Sequence, residues 1–268
     1  MCHAVSTLIN NSVYNLHMQL LKSLQYISDD RRAYETIFNI LYYSVTGRPL
    51  TEAKLSGDPR FVDVLSTSKK FLDNILRIYD KYGACIPNIA SEVFDSVLYF
   101  LKRSKGLKHF IFCDGMSITE ALYLAGKLGV NSINVIINPG GVTETYKFIL
   151  GPGEYMAKQP NLDAAVGTVA KKAGASHTIF REYDETIHKI GGSEGLDPRS
   201  IVEKMYNITL RLESTIHSLK KEGVTVVLLS DHGYDVVSVD SGKFKTQHRW
   251  GPRSLSILAP VMIIDPSV

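Results

Sequence analysis

Seven residues in the second half of the chain are of types, and at spacings, that could hold metal ions. Asp114 closes the apolar run HFIFC and precedes Gly115; Asp231 and His232 close VTVVLLS and precede Gly233. Asp184 and His188 make a D-x-x-x-H pair shortly after SHTIFRE, and His248 stands in QHRWG. After SINVIIN, the turn NPGG leads to Thr143, with Thr145 two residues on. Singly, each has an ordinary explanation: a buried Asp caps or hydrogen-bonds at a strand end, and an i, i+4 Asp–His pair is a bond on a helix surface. Together they put three carboxylates, three imidazoles and a hydroxyl at one edge of a predicted sheet. Burying that much charge without a counter-ion is costly, and bound cations are the usual remedy. Asp oxygens mixed with His nitrogens suit zinc or manganese better than calcium, which prefers oxygen alone.

The elements that must position these residues alternate between strands and helices. The runs HFIFC, SINVIIN, SHTIFRE and VTVVLLS read as strands. Between them lie an amphipathic segment from Ile118 to Leu128, the helical ETYKFIL, and a long helical pattern from Arg199 to Lys221 that starts at Asp197-Pro198. VVSVDSGKFKTQ, with Asp240, Ser241 and Gly242 at its middle, reads as a hairpin, and SLSILAPVMII as a final strand. Residues 106–268 are therefore expected to form an α/β domain, a mostly parallel sheet with helices on both faces. In such sheets ligands bind beyond the C-terminal strand ends, where the seven residues fall.

Residues 1–105 have a different texture and read as an all-helical N-terminal subdomain. Leu16, Leu20, Leu21 and Leu24 recur at helical spacing; so do Phe71, Ile75, Ile78 and Tyr79 in a segment ending at Gly83, and a further helix is expected from Ala90 to Arg103, after Pro87. No cluster of metal-type ligands occurs there, so this half is expected to serve packing or substrate access.

The bulk composition excludes more than it selects. In 268 residues, 44% hydrophobic and 21% charged content is that of a globular chain with a core, not a disordered one. Thirty basic against 27 acidic residues leave a net charge of +3, too small to argue for nucleic acid and no obstacle to an anionic substrate. Cys2, Cys85 and Cys113 are odd in number and far apart, with neither zinc-ligand spacing nor a disulfide framework, which suits a reducing compartment. With no secretory pattern at the start and no unbroken apolar run of membrane length, the expectation is a cytoplasmic protein without a membrane partner.

The order of the motifs resembles the alkaline phosphatase superfamily: Asp-Gly after a first strand, a Thr at the start of a helix, D-x-x-x-H, then S-D-H-G, then a late His. Within that group, FCDGMS and SDHGYD look closest to PglZ-type domains, over Lys108 to about Ile264. The resemblance implies two divalent metal ions, zinc or manganese, one held by Asp184, His188 and His248 and the other by Asp114, Asp231 and His232 beside Thr143. It implies a metal-dependent phosphoester hydrolase in which Thr143 attacks phosphorus to give a covalent phospho-enzyme that water then releases. A phosphodiester is the favoured substrate, a nucleotide or oligonucleotide included, with a phosphomonoester as the alternative. A catalytically degenerate metal- or nucleotide-binding sensor or adaptor, with a protein partner or as a homo-oligomer, is the competing class. Two departures stand out. Thr145 rivals Thr143 because the loop before the helix is short, and Met116 and Ser117 occupy the place where such domains often carry an arginine. Lys147, Arg181 and Arg249 are candidate phosphate contacts by position.

Overall fold

The computed structural model describes residues 2–51, 58–149, 161–240, 242–248 and 254–267. Four helices open the chain: α1 (Cys2–Leu24), α2 (Asp30–Thr46), α3 (Pro59–Tyr82) and α4 (Ile86–Arg103). α1 buries Val5, Ile9, Val13, Leu16 and Leu20, the three- and four-residue spacing of one helical face. α2 starts where the Asp29 side chain accepts the Arg32 N–H at 2.8 Å. Gly83 does not end α3 in a left-handed cap; it opens a 3₁₀ turn (Gly83–Cys85) that runs directly into α4.

From Lys108 strands and helices alternate: β1 (Lys108–Cys113), α5 (Ile118–Leu128), β2 (Ile133–Ile137), α6 (Thr143–Ile149), α7 (Leu162–Ala173), β3 (Ser176–Phe180), α8 (Glu182–Gly191), α9 (Pro198–Lys221) and β4 (Thr225–Ser230). A hairpin of β5 (Asp235–Asp240) and β6 (Lys243–Gln247) follows, then β7 (Leu258–Ile264). α9 is capped by Asp197, whose side chain accepts the Ser200 N–H, with Pro198 in its first turn, as the sequence indicated. The hairpin is present, although Ser241 at its turn lies outside the described residues.

The five-stranded sheet has the order β2-β7-β4-β1-β3 and is mixed. β1 pairs in parallel with β3 and β4, whereas β7 is antiparallel to both β2 and β4. β7 is the one reversed strand, so two of the four pairings are antiparallel where the sequence suggested a mostly parallel sheet. Its apolar run LAPVMII carries no directional signal: alternation marks which faces are buried, not which way a strand runs.

Helices cover both faces. On one, α4, α6 and α7 pack Val93, Val97, Tyr146, Val166 and Val169 against Phe110, Phe112, Val227 and Val261. On the other, α1, α2, α3, α5, α8 and α9 share one core with Ile111, Val135, Val226, Leu228 and Met262. The first four helices thus contribute to both outer layers, and the chain is α/β with its apolar core continuous across residue 105. Within residues 61–103 one 18-residue window reaches a mean hydropathy of 1.2, a membrane-span composition, but 44% of it is buried inside the fold.

One expectation is overturned. Cys2 and Cys85 form a disulfide, leaving Cys113 free and buried. Separation along the chain hid the pair; a bridge needs only neighbouring Cα atoms, here 5.2 Å apart. Closing a loop with a sequence separation of 83 restricts the unfolded chain by the equivalent of about 4.5 kcal/mol.

His17, on the buried face of α1, is 1% exposed and neither ring nitrogen has a hydrogen-bond partner. Burial disfavours its charged form and holds its pKa below the usual 6.5. The unfolded chain therefore takes up a proton that the fold excludes, so the contribution of neutral His17 is present above about pH 6.5 and is lost as pH falls below it. His17→Leu, which removes both orphaned nitrogens, is expected to unfold at higher denaturant than wild type at pH 5, by about 1–2 kcal/mol, with a smaller gap at pH 8. Parallel pH profiles for the two proteins in urea titrations would contradict this account.

Candidate metal centre

Every strand of the main sheet has an end at one edge, and that edge holds the polar residues. β1 ends before Asp114, β4 before Asp231, β2 before Asn138, and β3 leads through Arg181 into α8. The reversed β7 starts there, preceded by a 3₁₀ turn (Leu255–Ile257). That turn ties two neighbours down, because the Ser256 carbonyl accepts the Gly233 N–H at 2.9 Å and the Ile257 carbonyl accepts the Asn138 N–H at 2.7 Å.

Two triads form. In the first, Asp184 Oδ1 lies 3.0 Å from His248 Nε2 and 3.3 Å from His188 Nε2. Asp184 and His188 stand one turn apart on α8. His248 is delivered by β6, which docks on that helix where the Thr246 hydroxyl donates to the Ile187 carbonyl at 2.8 Å. In the second, His232 Nε2 lies 3.5 Å from Asp114 Oδ1 and 3.4 Å from Asp231 Oδ2. Each triad offers three ligand atoms within 4.8 Å of one another, close enough to share an ion. The triads abut, the His232 and His248 rings having centroids 4.4 Å apart. The His188 side chain is 68% exposed and Asp231 is fully buried, so the first triad faces solvent and the second lies beneath it.

Electrostatics favour a cation in both places. Burial raises Asp231 above the ordinary carboxylate range; the His232 charge opposes this, and the like charge of Asp114 adds to it. Burial alone would keep His232 neutral, but the adjacent Asp231 and Asp114 outweigh it and push it up to about 9. The buried pair thus retains a proton, the positive charge that a divalent ion would replace. At the outer triad burial also works against the charged form of Asp184, yet the His248 bond and the charges of His188, His248 and His232 hold it below its usual value.

The two threonines differ. Thr143 Oγ1 donates to Asp231 Oδ2 at 2.5 Å, against the inner triad. Thr145 donates to Asn138 Oδ1 at 2.5 Å and to the Val142 carbonyl at 2.9 Å, and its side chain fills the space a Cβ on Gly140 would need. Thr143 is the first residue of α6 rather than its N-cap, with the Val142 carbonyl accepting the Tyr146 N–H at 3.2 Å. Arg181 is turned to Asp163 at 2.7 Å in an exposed ion pair. Lys147 is half-buried one turn beyond Thr143 on α6, and Arg249 lies outside the described residues.

Sequence reasoning missed three supporting residues. Asn138, fully buried, donates to the backbone carbonyls of Asp231 and Val142 at 2.8 and 2.9 Å and so ties the Thr143 loop to β4. Glu120 completes a capping box with Ser117 at the start of α5 and accepts the Tyr34 and Tyr234 hydroxyls at 2.6 and 2.7 Å. Asp235 accepts the Leu255 N–H at 3.0 Å and the hydroxyls of Ser254 and Ser256, fixing the turn before β7. The Asn after SINVII and the S-x-x-E of SITE were the available signals; nothing local pointed to Asp235.

Gly115 sets the spacing between triads. It has φ +82°, and a Cβ there would meet Ile187 Cδ1 at 3.0 Å and the Asp184 backbone nitrogen at 3.2 Å. Gly115→Ala is expected to cost about 1–2 kcal/mol of stability and to weaken metal binding by moving Asp184 from Asp114. Gly174→Ala, also at positive φ but with open space around it, should cost about 1 kcal/mol and leave metal binding unchanged. Calorimetric metal titration with thermal melts distinguishes them; equal metal affinity in both variants would refute the spacing role. No family model matches the chain, and comparison with curated proteins finds no relative.

Proposed function

We propose that the protein is a two-metal phosphoester hydrolase with Thr143 as nucleophile, built on an alkaline-phosphatase-like core and favouring phosphodiesters. The observation that carries the reading is the convergence of Asp114, Asp184, His188, Asp231, His232 and His248 into two adjoining triads with the Thr143 hydroxyl against the inner one. The residues fit divalent ions: mixed carboxylate and imidazole donors, a fully buried carboxylate beside a second one, and triads near enough for a paired site. Asp184, His188 and His248 would hold one ion; Asp114, Asp231 and His232 would hold the other. Zinc is the favoured identity and manganese the alternative. Bound there, the ions would lower the pKa of the Thr143 hydroxyl and neutralise charge on the phosphoryl oxygens.

The chain's own groups account for the rest. The Thr143 hydroxyl hydrogen lies on Asp231, which orients Oγ1 and accepts its proton as the bond to phosphorus forms. The ester P–O bond breaks on the opposite side, and the leaving oxygen departs toward the solvent-facing mouth marked by His188. The departed ester oxygen is protonated from solvent; water then attacks phosphorus, the bond to Thr143 Oγ1 breaks, Oγ1 takes its proton back from Asp231, and the proton of the attacking water passes to solvent. Lys147, one helical turn along α6 from Thr143, is suited to hold a non-bridging phosphate oxygen. The diester preference comes from the resemblance of FCDGMS and SDHGYD to PglZ-type domains.

With zinc or manganese added, the protein is expected to hydrolyse an aryl phosphodiester faster than the corresponding monoester. Thr143→Ala should lower turnover by roughly 10³-fold or more while still binding two ions, and Thr145→Ala should stay within about tenfold of wild type. Two ions bound without turnover on either ester would favour a sensor module. Absence of metal binding would overturn the assignment altogether.

A further inference from the structure

α8 presents a second functional face. Asp184 and His188 lie on one side; Thr186, Lys189 and Ile190 lie on the other, about half a turn away at 100° per residue, with Ser193 just past the helix end. That far side meets Lys204, Asn207, Ile208 and Arg211 of α9 across a cleft of about 500 Å³. Among the described residues no carboxylate lines this cleft, and three cations do. Arg211 is held from its rim by Glu182 at 2.5 Å and Lys189 loosely by Glu185 at 4.0 Å, whereas Lys204 has no ion-pair partner among the described residues. Lys204 and Asn207 are both exposed, with their donors open to a ligand. The floor is apolar, made by Ile190 and Ile208 at 3% and 2% exposure, with Leu196 beside them.

The geometry points to a second binding site between α8 and α9, separate from the metal centre, for a phosphorylated small molecule of about nucleotide size. The volume falls in the range of small-molecule sites. Lys204 and Lys189 would take the phosphate, Asn207 and Thr186 would hydrogen-bond the polar parts, and the organic group would lie against the partly exposed Leu196, above the buried Ile190 and Ile208. The assignment rests on the cleft alone and is independent of the hydrolase reading.

The test follows the δ-methyl NMR signals of Ile190 and Ile208 in the full-length, metal-loaded protein during titration with AMP, adenosine and inorganic phosphate. Saturable shifts of both methyls are expected with AMP, weaker binding with phosphate, and none with adenosine at the same concentration. Lys204→Glu, a change at an exposed position, should weaken AMP at least tenfold, the equivalent of about 1.4 kcal/mol, while Thr143→Ala leaves it unchanged. Unmoved methyls at millimolar AMP, an equal response to adenosine, phosphate binding as tight as AMP, or indifference to Lys204→Glu would each overturn the proposal.

Discussion

The Asp231 carboxylate is fully buried at the end of a central strand, with Asp114 and the imidazole of His232 as near neighbours. Removing such a charge from water costs several kcal/mol unless its oxygens are bonded and its charge is matched. Much of the surrounding architecture answers that demand. Oδ1 accepts the Gly115 and His232 N–H groups at 3.2 and 3.0 Å, and Oδ2 accepts the Thr143 hydroxyl. These bonds join β1, β4 and α6, three segments far apart in sequence, around one group. Their geometry leaves the side facing His232 and Asp114 to be matched by a proton or by a metal ion.

The helices before residue 105 take part in the same arrangement. Glu120 gathers the Tyr34 hydroxyl from α2 and the Tyr234 hydroxyl from just beyond Gly233, and satisfies the Ser117 N–H at 2.9 Å. Burial raises its pKa, while the bonds from Tyr34, Tyr234 and the backbone oppose that rise. The rings of Tyr34, Tyr123 and Tyr206 pack edge-on or tilted against one another, with centroids 5.4 to 5.9 Å apart. Such aromatic pairs add about 0.5–1.5 kcal/mol each beyond the area they bury. The wall that the N-terminal helices build against α5 and α9 therefore also holds the peptide that carries His232.

The candidate site was legible because its residues lie at predictable places: the ends of apolar runs, one turn apart on a helix, and after a hairpin. Asp114, Asp231, His232 and the α8 pair could be assigned to one edge once the strands were recognised. What the sequence left open depended on geometry across the fold. The difference between Thr143 and Thr145 lies in the direction of each hydroxyl, the first donating to Asp231 and the second to Asn138. The Cys2–Cys85 bridge depends on α1 and the start of α4 being brought together, and separation along the chain carries no trace of that. The orientation of β7 is set by its neighbours on both sides and not by its own residues. Asp235 was invisible because its three partners lie some twenty residues downstream.

The position of β7 fixes the order in which the molecule can be assembled. It is the last of the sheet strands in the chain, yet it lies inside, between β2 and β4. Until residues 258–264 are synthesised, β2 has no strand partner in the sheet and β4 is paired on one side only. The Thr143 loop follows β2 and Asp231 follows β4, and the turn entering β7 accepts the N–H groups of both Asn138 and Gly233. During translation the growing chain thus carries both halves of the site without the piece that brings them together. Contacts of this kind, closed late and over long separations, are slow to form and leave strand edges exposed meanwhile. The nascent protein is therefore both without a finished candidate site and most prone to aggregation over the same interval, and a single strand insertion ends both conditions at once.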